Sequence, residues 1–112
     1  MSTPAVPAVP GIPVVLVSEL DPTEPVPVGW TLVDVREKSE WDEGHAPGAV
    51  HLPLGELTAR AGELPAGNRL LVVCHSGGRS ARATAWLNDA GYDATNLDGG
   101  MQDWARAGLP MI

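Results

Sequence analysis

The sequence predicts an α/β domain with a central, mostly parallel five-stranded sheet and helices on both faces. From Val14 onward, short apolar runs rich in β-branched residues alternate with amphipathic stretches, which is typical of parallel strands joined by helices. The run at residues 70–73 (Leu-Leu-Val-Val) has no polar alternation, as expected for a central strand covered on both faces. The length of 112 residues, of which 44% are hydrophobic and 19% charged, is that of one globular domain with its own core.

The predicted elements follow these patterns in chain order. The five apolar runs that predict strands are residues 14–17, 31–35, 49–52, 70–73 and 94–97. Helical spacing predicts helices over residues 54–64 and 81–90, and Gly91 stands where a glycine that ends a helix is expected. A short final helix is predicted over residues 101–107, before Gly108 and Pro110.

Residues 1–13 differ from the rest of the chain, since they contain four prolines and no lysine or arginine. Proline at this spacing favours extended polyproline conformations, so we interpret the segment as a solvated arm and residues 14–112 as the domain. The arm lacks the basic start and the uninterrupted apolar stretch of a secretory signal. No stretch of the sequence is long enough to span a bilayer. The expected location is therefore the cytoplasm.

Net charge restricts the classes of partner, and cysteine content restricts disulfide formation and metal binding. The formal net charge is -7, and the seven Lys and Arg residues form no run, which argues against nucleic acid or an anionic membrane as a partner. A single cysteine, Cys74, excludes an internal disulfide and suits a reducing compartment. The spacing of His45 and His51 with Cys74 matches no standard metal site, so no metal or cofactor is expected and both histidines are predicted to make structural hydrogen bonds. Because no conspicuous apolar run lies outside the sheet, we expect a monomer.

The chemistry is concentrated where the central strand ends. Residues 70–80 lead from that strand through a glycine-containing turn into a helix, and ligands of open α/β sheets bind at the carboxyl ends of strands. The turn amides, the positive end of the helix and the Arg79 guanidinium would together lower the pKa of Cys74 below the free value of about 8.5. Gly77 and Gly78 can adopt backbone angles that direct successive N–H groups at one anion. The plainer alternative is a buried cysteine followed by a tight turn.

Three stretches resemble the signatures of one family. The segment CHSGGRS at residues 74–80 resembles the active-site loop of the rhodanese (sulfurtransferase) family. DVREKSEWDEGHAPGAVHLP at residues 34–53 and LDGGMQDWARAGLP at residues 97–110 are similar to the family's flanking segments. The three occur in the right order and together extend the resemblance over about residues 14–110.

The resemblance implies a rhodanese-like fold and a sulfurtransferase with Cys74 as the nucleophile. Its thiolate would take the outer sulfur of a small anionic donor such as thiosulfate, and the amides of residues 75–79 would hold the resulting persulfide. The sulfur would then pass to cyanide, a thiol such as that of a thioredoxin-like protein, or a sulfur-carrier protein. Arg79 would position the donor and stabilise the leaving group. The best-studied thiosulfate enzymes have basic side chains where this chain has His75 and Ser76, which are weaker anchors for a doubly charged donor.

The same resemblance suggests roles for one acidic and one basic residue. It places Asp34 and Arg36 beside the active loop as candidate substrate-binding residues, with Asp34 accepting hydrogen bonds that order the loop. The alternative is an ordinary structural ion pair of Arg36 with Glu40 or Glu43.

The remaining residues of the motifs carry weaker predictions. By resemblance, residues 99–101 (Gly-Gly-Met) would form a wall facing the active loop, although a plain strand-to-helix turn is nearly as good an account. Ser80 and Arg82 open the helix and are interpreted as a cap and a surface charge.

Two other functions stay open. Related cysteine phosphatases and arsenate reductases have five residues between the cysteine and the arginine, whereas this chain has four, and the shorter ring fits a sulfur atom. The second is a non-catalytic or redox-sensing interaction module. A redox sensor would more readily have a resolving cysteine nearby, and this sequence has none.

Overall fold

The computed structural model describes residues 11–112, and residues 1–10 of the predicted arm lie outside them. The sheet has five strands in the order β1-β5-β4-β2-β3, and every pair of neighbouring strands is parallel. The strands are β1 (Val14–Leu16), β2 (Trp30–Asp34), β3 (Val50–His51), β4 (Arg69–Val73) and β5 (Ala94–Asp98). The predicted α/β class, the five strands and the central place of the fourth strand are confirmed.

Four α-helices connect or flank the strands. They are α1 (Lys38–Glu43), α2 (Leu57–Arg60), α3 (Gly78–Asp89) and α4 (Gly100–Arg106), and short 3-10 turns lie at Val17–Glu19, Leu54–Glu56 and Ala61–Glu63. The helix predicted over 54–64 is therefore one α-helical turn between two 3-10 turns, and Gly55 and Gly62 account for the weak α propensity of its ends. Within residues 11–112, no helix has the length and apolar character needed to cross a membrane.

Helix α1 is absent from the sequence prediction because it has no buried residue and is too short to show a helical period. The Glu40 carboxylate accepts a hydrogen bond from the backbone N–H of Glu37 at 3.0 Å, which satisfies one of the free amides at the start of the helix. The far end of α3 follows the prediction. Gly91 has φ +97°, and the Tyr92 N–H donates to the Leu87 carbonyl at 2.9 Å, which closes the helix in a Schellman motif.

The two faces of the sheet bury separate hydrophobic clusters. Leu70 and Val72 of β4 face the cluster that contains α2 and α3, whereas Leu71 and Val73 face the cluster that contains α4. Each of these four side chains is at most 1% exposed, so the strand is covered on both sides as its apolar run predicts.

The carboxyl ends of three strands meet at one edge of the sheet. Asp34 at the end of β2 is in register with Val73 at the end of β4, and Asp98 ends β5 on the other side of β4. This arrangement brings the segments that follow β2, β4 and β5 together around residue 74, and the candidate site lies there.

Candidate active site

Cys74 is the first residue after β4 and is only 1% exposed. Its Sγ accepts hydrogen bonds from the backbone N–H of Gly77 at 3.1 Å and from the hydroxyl of Ser80 at 3.3 Å. His75 and Ser76 lie exposed at the rim, and the sulfur lies at the floor of the ring that the loop forms.

Burial raises the pKa of the Cys74 thiol, but the hydrogen bonds outweigh it. The Ser80 hydroxyl and the backbone amides of Ser80, Gly77 and Ser76 stabilise the thiolate, so that the pKa lies below the ordinary value for cysteine. Of the amides predicted at residues 75–79, that of Gly77 donates to the sulfur and that of Ser76 helps to lower the pKa of the thiol, whereas Ser80 contributes from outside the predicted set.

Ser80 has a different place from the one that the sequence suggested. It is fully buried rather than a cap, and its Oγ lies 2.5 Å from the Asn96 Oδ1 as well as near the sulfur. The Asn96 Nδ2 donates to the Gly77 carbonyl at 3.3 Å. Asn96 lies on β5, so this network ties the loop to the neighbouring strand. The only sequence signal for it was a hydroxyl in the first turn of the helix that follows the cysteine.

The two loop glycines are not equivalent. Gly77 has φ +120°, a conformation that favours glycine, and a Cβ there would lie 2.6 Å from the Asp98 Oδ1, so that this side chain would have to move. Gly78 has no positive φ, begins α3 and has nothing within 4 Å of a built Cβ. Of the two glycines, only Gly77 has a backbone angle that favours glycine.

The start of α4 packs directly on the active loop. The backbone amides of Met101 and Gln102 donate to the carbonyls of Cys74 and His75 at 2.8 and 3.0 Å. Gly100 has φ +59°, and a Cβ there would collide with these same two carbonyl oxygens. Residues 99–101 thus form the wall that the sequence suggested, and they hold the loop through its backbone.

Arg79 is paired with a carboxylate from α1. Its two terminal nitrogens donate to the two oxygens of Glu40 at 2.7 and 2.9 Å, and each side chain is 29% exposed. The hydrogen bonds from Arg79 are the main reason that the pKa of Glu40 is lowered to about 2. The same pairing raises the pKa of Arg79, to which the nearby Cys74 thiolate also contributes.

Asp34 and Arg36 form a buried pair beside this helix. The Arg36 Nε and Nη2 donate to the Asp34 carboxylate at 3.0 and 2.8 Å, and Nη2 also donates to the Gly44 carbonyl at 2.8 Å. The partner of Arg36 is therefore Asp34, and the suggested ion pair with Glu40 or Glu43 is wrong. Asp34 ends β2 and is fully buried, and Gly44 follows α1. Arg36 donates to both residues, so it joins the end of β2 to the end of α1.

His45, which follows α1, and His51, which ends β3, both make hydrogen bonds, as predicted. His45 Nδ1 lies 2.9 Å from the Trp41 carbonyl oxygen, and His51 Nε2 lies 2.8 Å from the Arg36 carbonyl oxygen. The two imidazoles also stack on the Trp41 ring, with centroid distances of 3.6 and 4.6 Å.

A cavity of about 400 Å³ opens beside the loop. It lies between α1, the exposed His75 and the start of α4. Its lining residues are Arg36, Glu40, Glu43, Gly44, His75, Met101, Gln102, Ala105 and Met111.

Comparison of the sequence with known families agrees with this geometry, in which a buried, hydrogen-bonded cysteine lies at one edge of a five-stranded parallel sheet. The model of the rhodanese-like domain matches residues 17–107. This chain belongs to the rhodanese family. Of its relatives, a sulfurtransferase of Allochromatium vinosum is 40% identical over 82 residues, which is 72% of this chain and 77% of the relative.

Two further rhodanese relatives differ in how much of their length is matched. YrkF of Bacillus subtilis, provisionally named a sulfur carrier protein, is 42% identical over 74 residues, which is 65% of this chain but 40% of YrkF. A crystal structure of a rhodanese-related protein from Thermoplasma volcanium has a TM-score of 0.80 at 27% identity, with 89% of this chain and 97% of that chain covered. At the level of the family, these relatives support sulfur transfer as the activity.

Proposed function

We propose that this protein is a sulfurtransferase that carries a sulfane sulfur as a persulfide on Cys74. The observation that supports it best is the arrangement around the Cys74 sulfur. A hydroxyl and three backbone amides direct their hydrogens at one sulfur atom at the positive end of a 12-residue helix. Such an environment stabilises both a thiolate before the reaction and a persulfide anion after it.

In the first half of the reaction, the Cys74 thiolate attacks the outer sulfur of the donor. With thiosulfate, a sulfur–sulfur bond forms to Cys74, the donor's own sulfur–sulfur bond breaks, and its electron pair leaves with sulfite. Thiolate and thiosulfate thus become a persulfide anion and sulfite, without an external oxidant or reductant.

In the second half, an acceptor removes the outer sulfur and restores the thiolate. Cyanide yields thiocyanate, and a thiol yields its own persulfide. We infer a sulfur-acceptor protein as one class of partner, because one relative of this chain is named a sulfurtransferase and another a sulfur carrier protein. The two half-reactions make the mechanism ping-pong.

The other site residues have distinct proposed roles. Arg79 lies near enough to Cys74 for the charge of the thiolate to raise its pKa. We propose that Arg79 stabilises the negative charge that develops on the leaving group. His75 and Ser76 lie exposed at the rim, where they contact the donor. The buried pair of Asp34 and Arg36 fixes the turn that leads into α1, so it positions the site.

The loop itself favours sulfur transfer over phosphate or arsenate chemistry. Four residues separate Cys74 from Arg79, and the Gly77 amide within this loop donates to the Cys74 sulfur. A tetrahedral oxyanion needs a wider ring.

The proposal is tested by steady-state kinetics with thiosulfate and cyanide, with thiocyanate as the measured product. We expect parallel lines in double-reciprocal plots and no activity above background for Cys74→Ser. Activity that survives this substitution would contradict the role of Cys74. Absence of transfer from any sulfane donor would instead favour an interaction or redox module.

A further inference from the structure

Two guanidinium groups near the active site are already paired with carboxylates of the protein. The Arg79 guanidinium makes two hydrogen bonds to the two oxygens of Glu40, and the Arg36 guanidinium is bonded to Asp34. These two groups therefore have a carboxylate partner before any donor arrives, whereas the exposed Arg82 of α3 forms no ion pair within residues 11–112.

The cavity adds a further carboxylate. Glu43 lines it together with Glu40, and within residues 11–112 Glu43 forms no ion pair. Arg36 also lines the cavity, but its partner Asp34 is fully buried, so the carboxylates that line the cavity are those of Glu40 and Glu43. Thiosulfate carries two negative charges, so a thiosulfate that approaches Arg79 beside this cavity meets an arginine that is already paired and the carboxylate of Glu43, which has the same sign as the donor.

We propose that Glu40 is a specificity-determining residue that makes the site favour sulfane donors of low charge over dianionic thiosulfate. The inference deepens the proposed sulfurtransferase function and rests on it. A dianion that binds Arg79 in a bidentate manner must displace Glu40 or share the guanidinium with it. A monoanionic thiosulfonate or a persulfide depends less on Arg79 for charge neutralisation, so competition from Glu40 weakens its binding less than that of thiosulfate.

The position of Glu40 allows its charge to be separated from its structural contacts. One oxygen, Oε1, accepts from both the Arg79 Nη1 and the Glu37 backbone N–H. Glutamine retains this oxygen, so Glu40→Gln retains acceptors for the Glu37 N–H and for Arg79 Nη1 while the negative charge is removed. Its amide nitrogen replaces the oxygen that accepts from Arg79 Nη2, so that one hydrogen bond is lost.

Two donors that differ by one charge provide the test. Methanethiosulfonate has a methyl group in place of one thiosulfate oxygen, and Cys74 takes its outer sulfur while the electron pair leaves with methanesulfinate. Persulfide formation on Cys74 is followed by rapid-quench mass spectrometry under single-turnover conditions, for wild type, Glu40→Gln and Asp93→Asn. Asp93 pairs with Arg69 at the opposite edge of the sheet, so its substitution makes the same change in net charge away from the site.

For Glu40→Gln we expect kcat/KM to rise about tenfold with thiosulfate and about threefold with methanethiosulfonate, because a dianion gains more than a monoanion from removal of a nearby negative charge. The thiosulfate-to-thiosulfonate ratio should therefore rise about threefold and stay unchanged in Asp93→Asn. Glu40→Ala should shift the ratio in the same direction, which keeps the test available if the glutamine variant folds poorly.

An unchanged or lower ratio in both Glu40 variants, with wild-type persulfide formation intact, would overturn this inference and leave the proposed function standing. An equal rise in Asp93→Asn would also overturn it, because the effect would then come from net charge. If neither donor modifies wild-type Cys74, the proposed function fails and the inference fails with it.

Discussion

Different kinds of contact hold the two sides of the active site. On the β5–α4 side, backbone amides and carbonyls hold the loop, and the wall they form depends on Gly100 and on the approach of Met101 to the Cys74 carbonyl. On the α1 side, charged side chains make the contacts, chiefly the pair of Arg79 and Glu40. The backbone side leaves no room for a side chain at Gly100, whereas the charged side is partly exposed. Under the proposals above, the charged side influences which donors are accepted.

The largest effect is expected from a single added methyl group on the backbone side. Gly100→Ala places a Cβ against the carbonyl oxygens of Cys74 and His75 at a backbone angle that only glycine adopts readily. We expect a loss of about 3 kcal/mol in the free energy of unfolding, together with loss of sulfur transfer. Urea unfolding measures the first and thiocyanate formation the second.

Gly62→Ala is the matched control for this prediction. Gly62 has no positive φ, and a Cβ there meets nothing within 4 Å. Its substitution should leave activity intact and change stability by less than about 1 kcal/mol. If the two alanine variants behave alike, the close packing of α4 on the loop does not limit the protein as described.

A smaller effect is expected when one donor to the sulfur is removed. In Ser80→Ala the Cys74 thiolate loses a hydrogen bond while its burial stays, so its pKa should rise. The rate of alkylation by iodoacetamide, measured against pH, should therefore reach its midpoint at a higher pH than in wild type. Ser76→Ala is the control, because only the backbone amide of Ser76 faces the sulfur. A midpoint that stays in place in Ser80→Ala would show that the backbone amides alone stabilise the thiolate.

The smallest effect concerns the stability that the charged side contributes. The pKa of Glu40 is about 2 in the folded protein, below the ordinary value of 4.5, so its ion pair stabilises the fold fully above pH 4.5 and loses this contribution as the pH falls towards 2. Since the pair is partly exposed, we expect Glu40→Gln to cost on the order of 1 kcal/mol at pH 7.

More than half of that difference should be gone at pH 3, which urea titrations of the two proteins at both pH values would measure. A difference that persists undiminished at pH 3 would mean that Glu40 stabilises the protein through packing and not through its charge.

The comparison of the two sides also explains how far the sequence could be interpreted. The strands and the turn that follows the fourth strand depend on local patterns, and the sequence predicted both. The pairing of Glu40 with Arg79 joins residues 39 positions apart, and that of Ser80 with Asn96 joins residues 16 positions apart. Such contacts depend on strand order and register, which hydrophobic periodicity does not encode.

Helix α1 was missed for a related reason. It buries no side chain, so it lacks the apolar stripe by which a helix is recognised in a sequence. Without the helix, Glu40 could not be placed, and an ion pair of Arg36 with Glu40 or Glu43 stayed open as an alternative. Because this short surface helix was not predicted, the ion pair between Glu40 and Arg79 was not predicted either.

The central claim is that Cys74 carries sulfur as a persulfide, and the intact mass of the protein tests it most directly. Wild type is incubated with thiosulfate or methanethiosulfonate, measured, and measured again after cyanide is added, with Cys74→Ser treated in parallel. The account predicts a gain of one sulfur atom in wild type only, which cyanide removes with formation of thiocyanate. A wild-type mass that stays unchanged with both donors, or an equal gain in Cys74→Ser, would contradict it.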